Sequence, residues 1–249
     1  MQKKTVFITG VTGSMGGAGL EELLRRRERF DLVTLVRPSN TNREKMKALE
    51  QEPGLRIVWG DLTRYEDVLE CITGADFVLH AAAMISPAAD HDPQAARAVN
   101  VGSMENIIRA IKAQSDPDSI KLLTVGSVAM TGDRLAPLHV GRTGDPLKPS
   151  VYDAYACTKI DAERLVAESG LKYWASCRQT FIAVPDTLAL MDPIMYHQPL
   201  HTCIELCTAH DSGLLMANAC EDDVPEAFWR SFYNIGGGPA ARIVFVDMM

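Results

Sequence analysis

The sequence lacks most of the features that would settle a protein's class at a glance. It has no excess of positive charge: 25 Lys and Arg against 32 Asp and Glu leave a net charge of -7. It therefore carries no electrostatic footprint for nucleic acid. The one basic cluster, Arg25-Arg26-Arg27 with Arg29, ends a predicted helix, where positive charge suits the helix dipole. None of the six cysteines (71, 157, 177, 203, 207, 220) forms a Cys-x-x-Cys pair. With no secretory signal ahead of them, they read as reduced thiols of a cytosolic protein. Cys203 and Cys207 stand four apart, a spacing that shares one helix face, but no further ligands for a metal accompany them. His197 and His201 have the same spacing, yet Pro199 lies between them and no glutamate follows His197, so they do not form a zinc helix. Long apolar runs are missing too. Thr5 to Thr9 is too short for a signal-peptide core and is broken at once by glycine. Phe77 to Ala89 contains His80, Ser86 and Pro87 and is too short to cross a bilayer. No repeat or low-complexity segment stands out. The expectation is a soluble, cytoplasmic protein with no nucleic-acid or membrane partner and no metal.

What is present is an alternation of patterns. The 249 residues, 47% hydrophobic and 23% charged, suit one large α/β domain with a sizeable core, or that domain with a small appendage. Strands are predicted at Val6–Ile8, Leu32–Val36, Arg56–Trp59, Phe77–Leu79, Leu122–Val125 and Tyr173–Arg178. Helical stretches separate them: one with Leu20, Leu23 and Leu24 on a single face, one through Asp67-Val68-Leu69, one from Ala95 to Ala113 and one from Tyr155 to Glu168. Near-continuous apolar strands between helices imply a parallel sheet covered on both faces. Right-handed crossovers make it a doubly wound Rossmann fold, α/β in class. The pattern changes near Pro185, after which Asp186 to His201 reads as short helices and loops. Residues 1–180 are expected to be the cofactor-binding domain and 181–249 a small substrate-binding region, cut short by the chain's end in Val244-Phe245-Val246-Asp247-Met248-Met249.

Directly after the first strand comes Thr9, then Gly10-Val11-Thr12-Gly13-Ser14-Met15-Gly16. Glycines three apart close a tight turn and let the backbone approach a pyrophosphate. The following helix then aims its N-terminal N–H groups and positive dipole end at the phosphates. A glycine spacing alone is weak, but a position between first strand and first helix is the context that gives it meaning. The end of the second strand, where an acid would bind the ribose hydroxyls of NAD, holds Arg37 instead. A guanidinium suits a 2′-phosphate, and Ser39, Asn40 and Arg43 add donors. NADP is accordingly the expected cofactor, with NAD second.

Tyr155 and Lys159 are four residues apart and so share a helix face. A nearby ammonium stabilises a phenolate and brings the phenol, with an ordinary pKa of about 10, closer to the range useful for acid–base catalysis. Ser127 follows the fifth strand, at the carboxyl edge where ligands of open α/β sheets bind. It can hold a substrate oxygen against Tyr155. The other nearby tyrosine, Tyr152, has Ala156 four positions on and no lysine.

Together with Asp61-Leu62, His80-Ala81-Ala82-Ala83, Asn100-Val101-x-Gly-Ser, Gly126-Ser127 and Asn234-Ile235-Gly236-Gly237-Gly238, these motifs resemble the extended, epimerase-like branch of the short-chain dehydrogenase/reductase superfamily. The resemblance runs in register from residue 4 to about 180 and more loosely beyond. It implies that Asp61 bonds the adenine amino group and Leu62 lines its pocket. It also implies that Ala81, Ala82 and Ala83 lie beside the cofactor, that Asn100 sits near the active site unless it merely caps its helix, and that two copies pair through the long helices. The expected reaction is hydride transfer between NADP(H) and a carbonyl or secondary alcohol. No acid accompanies Ser127 in Ser127-Val128-Ala129-Met130, as a dehydratase would want, and the methionine-rich later segment suits an apolar substrate. Two alternatives stand beside this reading: an NAD-dependent nucleotide-sugar epimerase or dehydratase, and an NADP-binding redox sensor without turnover.

Overall fold

The computed structural model of the protein describes residues 3–132, 141–184 and 201–248. Seven strands form one parallel sheet: β1 (Lys4–Thr9), β2 (Phe30–Val36), β3 (Leu55–Trp59), β4 (Phe77–His80), β5 (Lys121–Ser127), β6 (Tyr173–Gln179) and, late in the chain, β9 (Ser231–Ile235). Their order is β3-β2-β1-β4-β5-β6-β9. The sequence of strands reverses between β1 and β4, which opens a crevice at the carboxyl edge above them. This is the doubly wound Rossmann arrangement that the alternation predicts. The inner strands are buried on both faces; in β1, Val6, Phe7 and Ile8 are fully inaccessible, which is why they read as continuous apolar runs rather than alternating ones.

Two helical layers cover the sheet. On one side α3 (Tyr65–Ile72), α6 (Ser103–Lys112) and α7 (Ala154–Glu168) close a core of Phe7, Val68, Ile72, Ile107, Ile111 and Val166. On the other, α1 (Ser14–Arg25), α2 (Asn40–Met46) and α8 (Ala209–Asn218) bury Ile8, Leu20, Leu23, Leu32, Met46 and Met216. Small residues bring α1 and α8 close: a Cβ on Gly19 would stand 2.8 Å from Met216 Cε, and one on Gly213 2.6 Å from the Ala18 backbone.

The helix expected over Ala95–Ala113 starts earlier and is not regular. After the short α4 (Ala88–His91), α5 (Pro93–Arg97) begins with Asp92 as its cap, whose carboxylate accepts the Ala95 N–H at 2.9 Å, and with Pro93 at the first position. A π turn over Ala98–Gly102 then leads into α6. Short α2 is also seen, capped by Ser39, although no apolar periodicity marks it in the sequence. Cys203 and Cys207 sit on a strand, β8 (Cys203–Thr208), not on a helix. β8 lies between β7 (Phe181–Ala183) and β10 (Arg242–Val244) in a separate three-stranded sheet, followed by a short helix, α9 (Phe245–Met248). The expected loops of Asp186 to His201, with His197, lie outside the described residues except for His201, which is exposed. Among the described residues no helix is long and apolar enough to cross a membrane, and no group of three or more His, Cys, Asp or Glu is placed to hold a metal.

Candidate active site

The glycine turn has one feasible backbone path. Gly10 is left-handed at φ +77, and a Cβ on it would stand 2.7 Å from Ala82 N and 2.9 Å from the Ala81 carbonyl carbon. Only glycine serves there, both for the conformation and for the approach to the segment after β4. A Cβ on Gly16 would run into the Gly10 carbonyl, so the first turn of α1 packs directly on the loop. Gly13 N–H donates to Gly10 O at 2.9 Å and stands at the N-cap of α1, which has no side-chain cap and no acid in its first turn. Ser14 is exposed and Met15 half-buried beside it. Among the described residues no side chain caps the first N–H groups of α1 and no acid stands in its first turn, the arrangement that receives a phosphate.

At the end of β2 Arg37 is exposed, and its carbonyl accepts Asn42 Nδ2–H at 2.8 Å. Arg43 lies over the Trp59 ring, 4.6 Å from its centroid. Lys45, a residue the motif reading passed over, reaches back from α2 to donate to Thr12 O at 2.8 Å. Helical spacing alone would not have found it, because its partner is 33 positions away. After β3, Asp61 Oδ1 accepts the N–H and hydroxyl of Thr63, both at 2.8 Å. Leu62 O accepts from Asn106 Nδ2 at 2.9 Å, which ties that loop to α6.

Behind the turn lies a buried polar connection. Thr9 Oγ1 accepts the Ala82 N–H at 3.2 Å and stands 2.9 Å from His80 Nδ1. His80 Nε2 is 3.3 Å from Ser103 Oγ. Burial, followed by the charge of Lys159, pulls the imidazole down to about 3, so it is neutral at ordinary pH. The neutral ring bridges the Thr9 and Ser103 hydroxyls. Ala81, Ala82 and Ala83 follow, partly accessible, their small side chains leaving the strand end open. Asn100, inside the π turn, does not cap a helix. Its amide accepts Met84 N–H at 2.7 Å and donates to Met84 O and to Thr158 Oγ1, both at 2.9 Å. It clamps the segment after β4 to α7.

That clamp positions the tyrosine and lysine. α7 starts at a cap, Asp153, whose carboxylate accepts Ala156 N–H at 2.8 Å. Tyr155, Lys159 and Ser127 come together: the Ser127 side chain lies near enough to the Tyr155 phenol to draw its pKa down, and Lys159 Nζ lies 5.9 Å from the Tyr155 ring centroid. Ser127 is buried at the end of β5. Lys159 is itself buried and donates to Val125 O at 2.7 Å. Burial pulls its ammonium down to about 8. Burial raises the Tyr155 phenol, the Ser127 side chain draws it back, and the Asp153 carboxylate pushes it further up, for a net rise. The expected lowering of the phenol by Lys159 is therefore not what this geometry produces. The ammonium is turned toward a backbone carbonyl, and the phenol stays protonated. Sequence reading missed Glu163 and Arg178, which lie one turn beyond Lys159 and on β6; nothing in a lone Glu or Arg announces burial.

A family model, the NAD dependent epimerase/dehydratase family, matches residues 6–181. The UDP-glucose 4-epimerase of Rickettsia felis is 33% identical over 110 residues, covering 43% of this chain and 32% of that protein. The aligned part thus spans about a third of the length of such curated relatives. Among solved structures, dTDP-glucose 4,6-dehydratase from Bacillus anthracis in complex with NAD superposes with a TM-score of 0.78 at 16% identity, over 98% of this chain and 78% of that one. The UDP-N-acetylglucosamine 4-epimerase of Methanobrevibacter ruminantium M1 in complex with UDP-N-acetylmuramic acid gives 0.77 at 17%, over 100% and 80%. At these identities the structures speak for the fold.

Proposed function

The chain belongs to the NAD dependent epimerase/dehydratase family, and from that premise we propose that it is a nicotinamide-dependent oxidoreductase acting on a nucleotide-linked sugar. The observation that carries the proposal is the convergence of Ser127, Tyr155 and Lys159 at the sheet edge beside a glycine turn fitted to a pyrophosphate. The relatives named as UDP-glucose 4-epimerase favour a sugar nucleotide over the apolar carbonyl compound that the methionine-rich segment suggests. In this reading the uncapped start of α1 binds the pyrophosphate, Asp61 and Leu62 border the adenine, and Ala81 to Ala83 leave room for the cofactor. The cofactor supplies hydride acceptance and return. Ser127 orients the sugar hydroxyl or carbonyl, and Tyr155 gives or takes its proton at the phenol oxygen. Residues 181–249 contribute the sugar side of the pocket, and two copies pair along the helices bearing Asn100 and Tyr155. All six cysteines are free thiols, which supports a reducing, cytoplasmic setting.

The cofactor's second phosphate is the open chemical choice. Arg37 stands where an acid would select NAD, with Arg43 and Lys45 close by, and this favours NADP. The word NAD in the family's description favours the other. Thermal shifts with NAD and NADP, followed by chromatography of UDP-glucose and UDP-galactose after incubation with the protein, test both levels. Stabilisation by either cofactor with interconversion of the sugars supports the proposal; no shift with either cofactor would sink it. Arg37→Ala should weaken NADP by about 1–3 kcal/mol, the worth of a lost charged hydrogen bond, and leave NAD nearly unchanged. Equal losses for both would remove Arg37 from phosphate recognition.

A further inference from the structure

Behind Lys159 lies a small cavity of about 10 Å³, the room one water molecule takes. Its polar lining is His80 from β4, Asn100 from the π turn, Thr124 from β5, Lys159 and Glu163 from α7, and Ser176 from β6. Glu163 is one helical turn beyond Lys159, so the two face the same space. By charge and placement Glu163 would be the natural counter-ion of the lysine, yet its carboxylate is fully engaged elsewhere. Arg178 Nε donates to Oε1 and Oε2 at 3.2 and 3.0 Å, and Nη2 to Oε1 at 2.6 Å. The Ser176 hydroxyl donates to Oε2 at 2.6 Å. The guanidinium is held in turn by Thr143 O at 2.9 Å and by the Phe232 ring, 5.1 Å away. Both ions are 5% exposed. A Cβ on Gly126 would crowd Arg178 Cγ and Ser176 Oγ at 3.3 Å, so the glycine ahead of Ser127 makes room for this clamp.

We propose that Arg178 is a positioning residue for the Tyr155–Lys159 couple: by clamping Glu163 it leaves the buried Lys159 ammonium without a counter-ion. The inference rests on the proposed role of that couple. Among the described residues, every charged or titratable group facing Lys159 fits it. From β4 comes His80, neutral because it is buried. From β6 comes Arg178, cancelled by Glu163. The π turn and β5 present only Asn100, Thr124 and the Val125 carbonyl, and the remaining groups on α7 are the Tyr155 phenol and the Asp153 carboxylate at the helix start. An unpaired buried ammonium releases its proton more easily than a paired one. The ion pair therefore keeps Lys159 able to exchange a proton near neutral pH instead of locking it as a cation.

The test is NMR titration of the full chain carrying ¹³C-labelled lysine, with the Lys159 signal assigned by its loss in Lys159→Met. In the unaltered protein the Lys159 midpoint should lie near 8, where its burial places it; a midpoint at or above an ordinary lysine's value of about 10.4 overturns the proposal, and this reading needs no change at Arg178 or Glu163. Arg178→Gln frees Glu163 and should raise the midpoint by about one pH unit. Glu163→Gln leaves the arginine charge uncancelled and should lower it by a similar amount, and the double variant should return it. A folded single variant whose midpoint stays put refutes the coupling. Turnover of UDP-galactose is read separately: its absence with the expected NMR shifts refutes the proposed function and not the clamp.

Discussion

Tyr155→Phe deletes one oxygen and keeps the ring against Lys159, which makes it the sharpest probe of the site at the residue scale. It should leave cofactor affinity close to that of the unaltered protein and cut turnover by about 10²–10⁴-fold. Near-normal turnover would move the proton transfer to another group. His80 gives a prediction of a different kind, about stability. Its folded value is depressed to about 3 from an ordinary 6.5. Below about pH 6.5 the unfolded chain binds a proton that the folded one refuses, so stability is present above that pH and is lost as pH falls toward 3. The slope from this one group is about 1.4 kcal/mol per pH unit within that window. Urea midpoints from pH 7 to pH 4 should therefore fall less steeply for His80→Asn than for the parent. Parallel curves would mean that the imidazole is protonated inside the fold.

At the scale of elements, the β1–α1 turn and the interrupted helix do separate work. Gly16→Ala sets a methyl group against the Gly10 carbonyl, and no flexible side chain is there to give way. The turn must open, the N–H groups of α1 lose their common aim, and the fold should weaken by about 1–3 kcal/mol. Isothermal titration should show nicotinamide dinucleotide binding lost at a temperature where circular dichroism still reports a folded protein. Binding that survives would mean that phosphates are held elsewhere. The π turn between α5 and α6 puts Asn100 where its amide reaches both Met84 and Thr158. A regular helix would rotate residues beyond position 98 by one place.

For the whole molecule, the late strand β9 and helix α8 return to the first sheet. β9 pairs in parallel with β6 from Ala175↔Ser231 to Gln179↔Ile235, and α8 covers α1 through Met216, 1% exposed, and Ala217, fully buried. A chain ending at residue 180 would uncover the β6 edge and the face of α1 bearing Ala18 and Gly19. Such an edge and apolar face invite association. The shortened chain should elute as aggregates in size exclusion and show no cooperative thermal transition. A monodisperse, cooperatively unfolding fragment would mean that β9 and α8 are additions to a self-sufficient core.

The doubly wound sheet, the glycine turn and the Ser127, Tyr155 and Lys159 set were legible in the sequence, because each depends on spacing along the chain. Buried strands need unbroken apolar runs, a tight turn needs glycine at set intervals, and i and i+4 share a helix face whatever surrounds them. The short α2, the strand at Cys203 to Thr208 and the break in the long helix were not legible. Capping by Ser39, pairing of β8 with β7 and β10, and a single extra residue in a helical turn leave no periodicity of their own. Protonation belongs entirely to the tertiary structure. The Tyr155–Lys159 spacing suggested a lowered phenol, but burial and Asp153 raise it, and Lys159 points to Val125. Of the charged groups lining the cavity, Glu163 is the nearest to Lys159 in sequence, yet it belongs to Arg178 from β6, because a counter-ion is chosen by distance in space and by the water excluded around it.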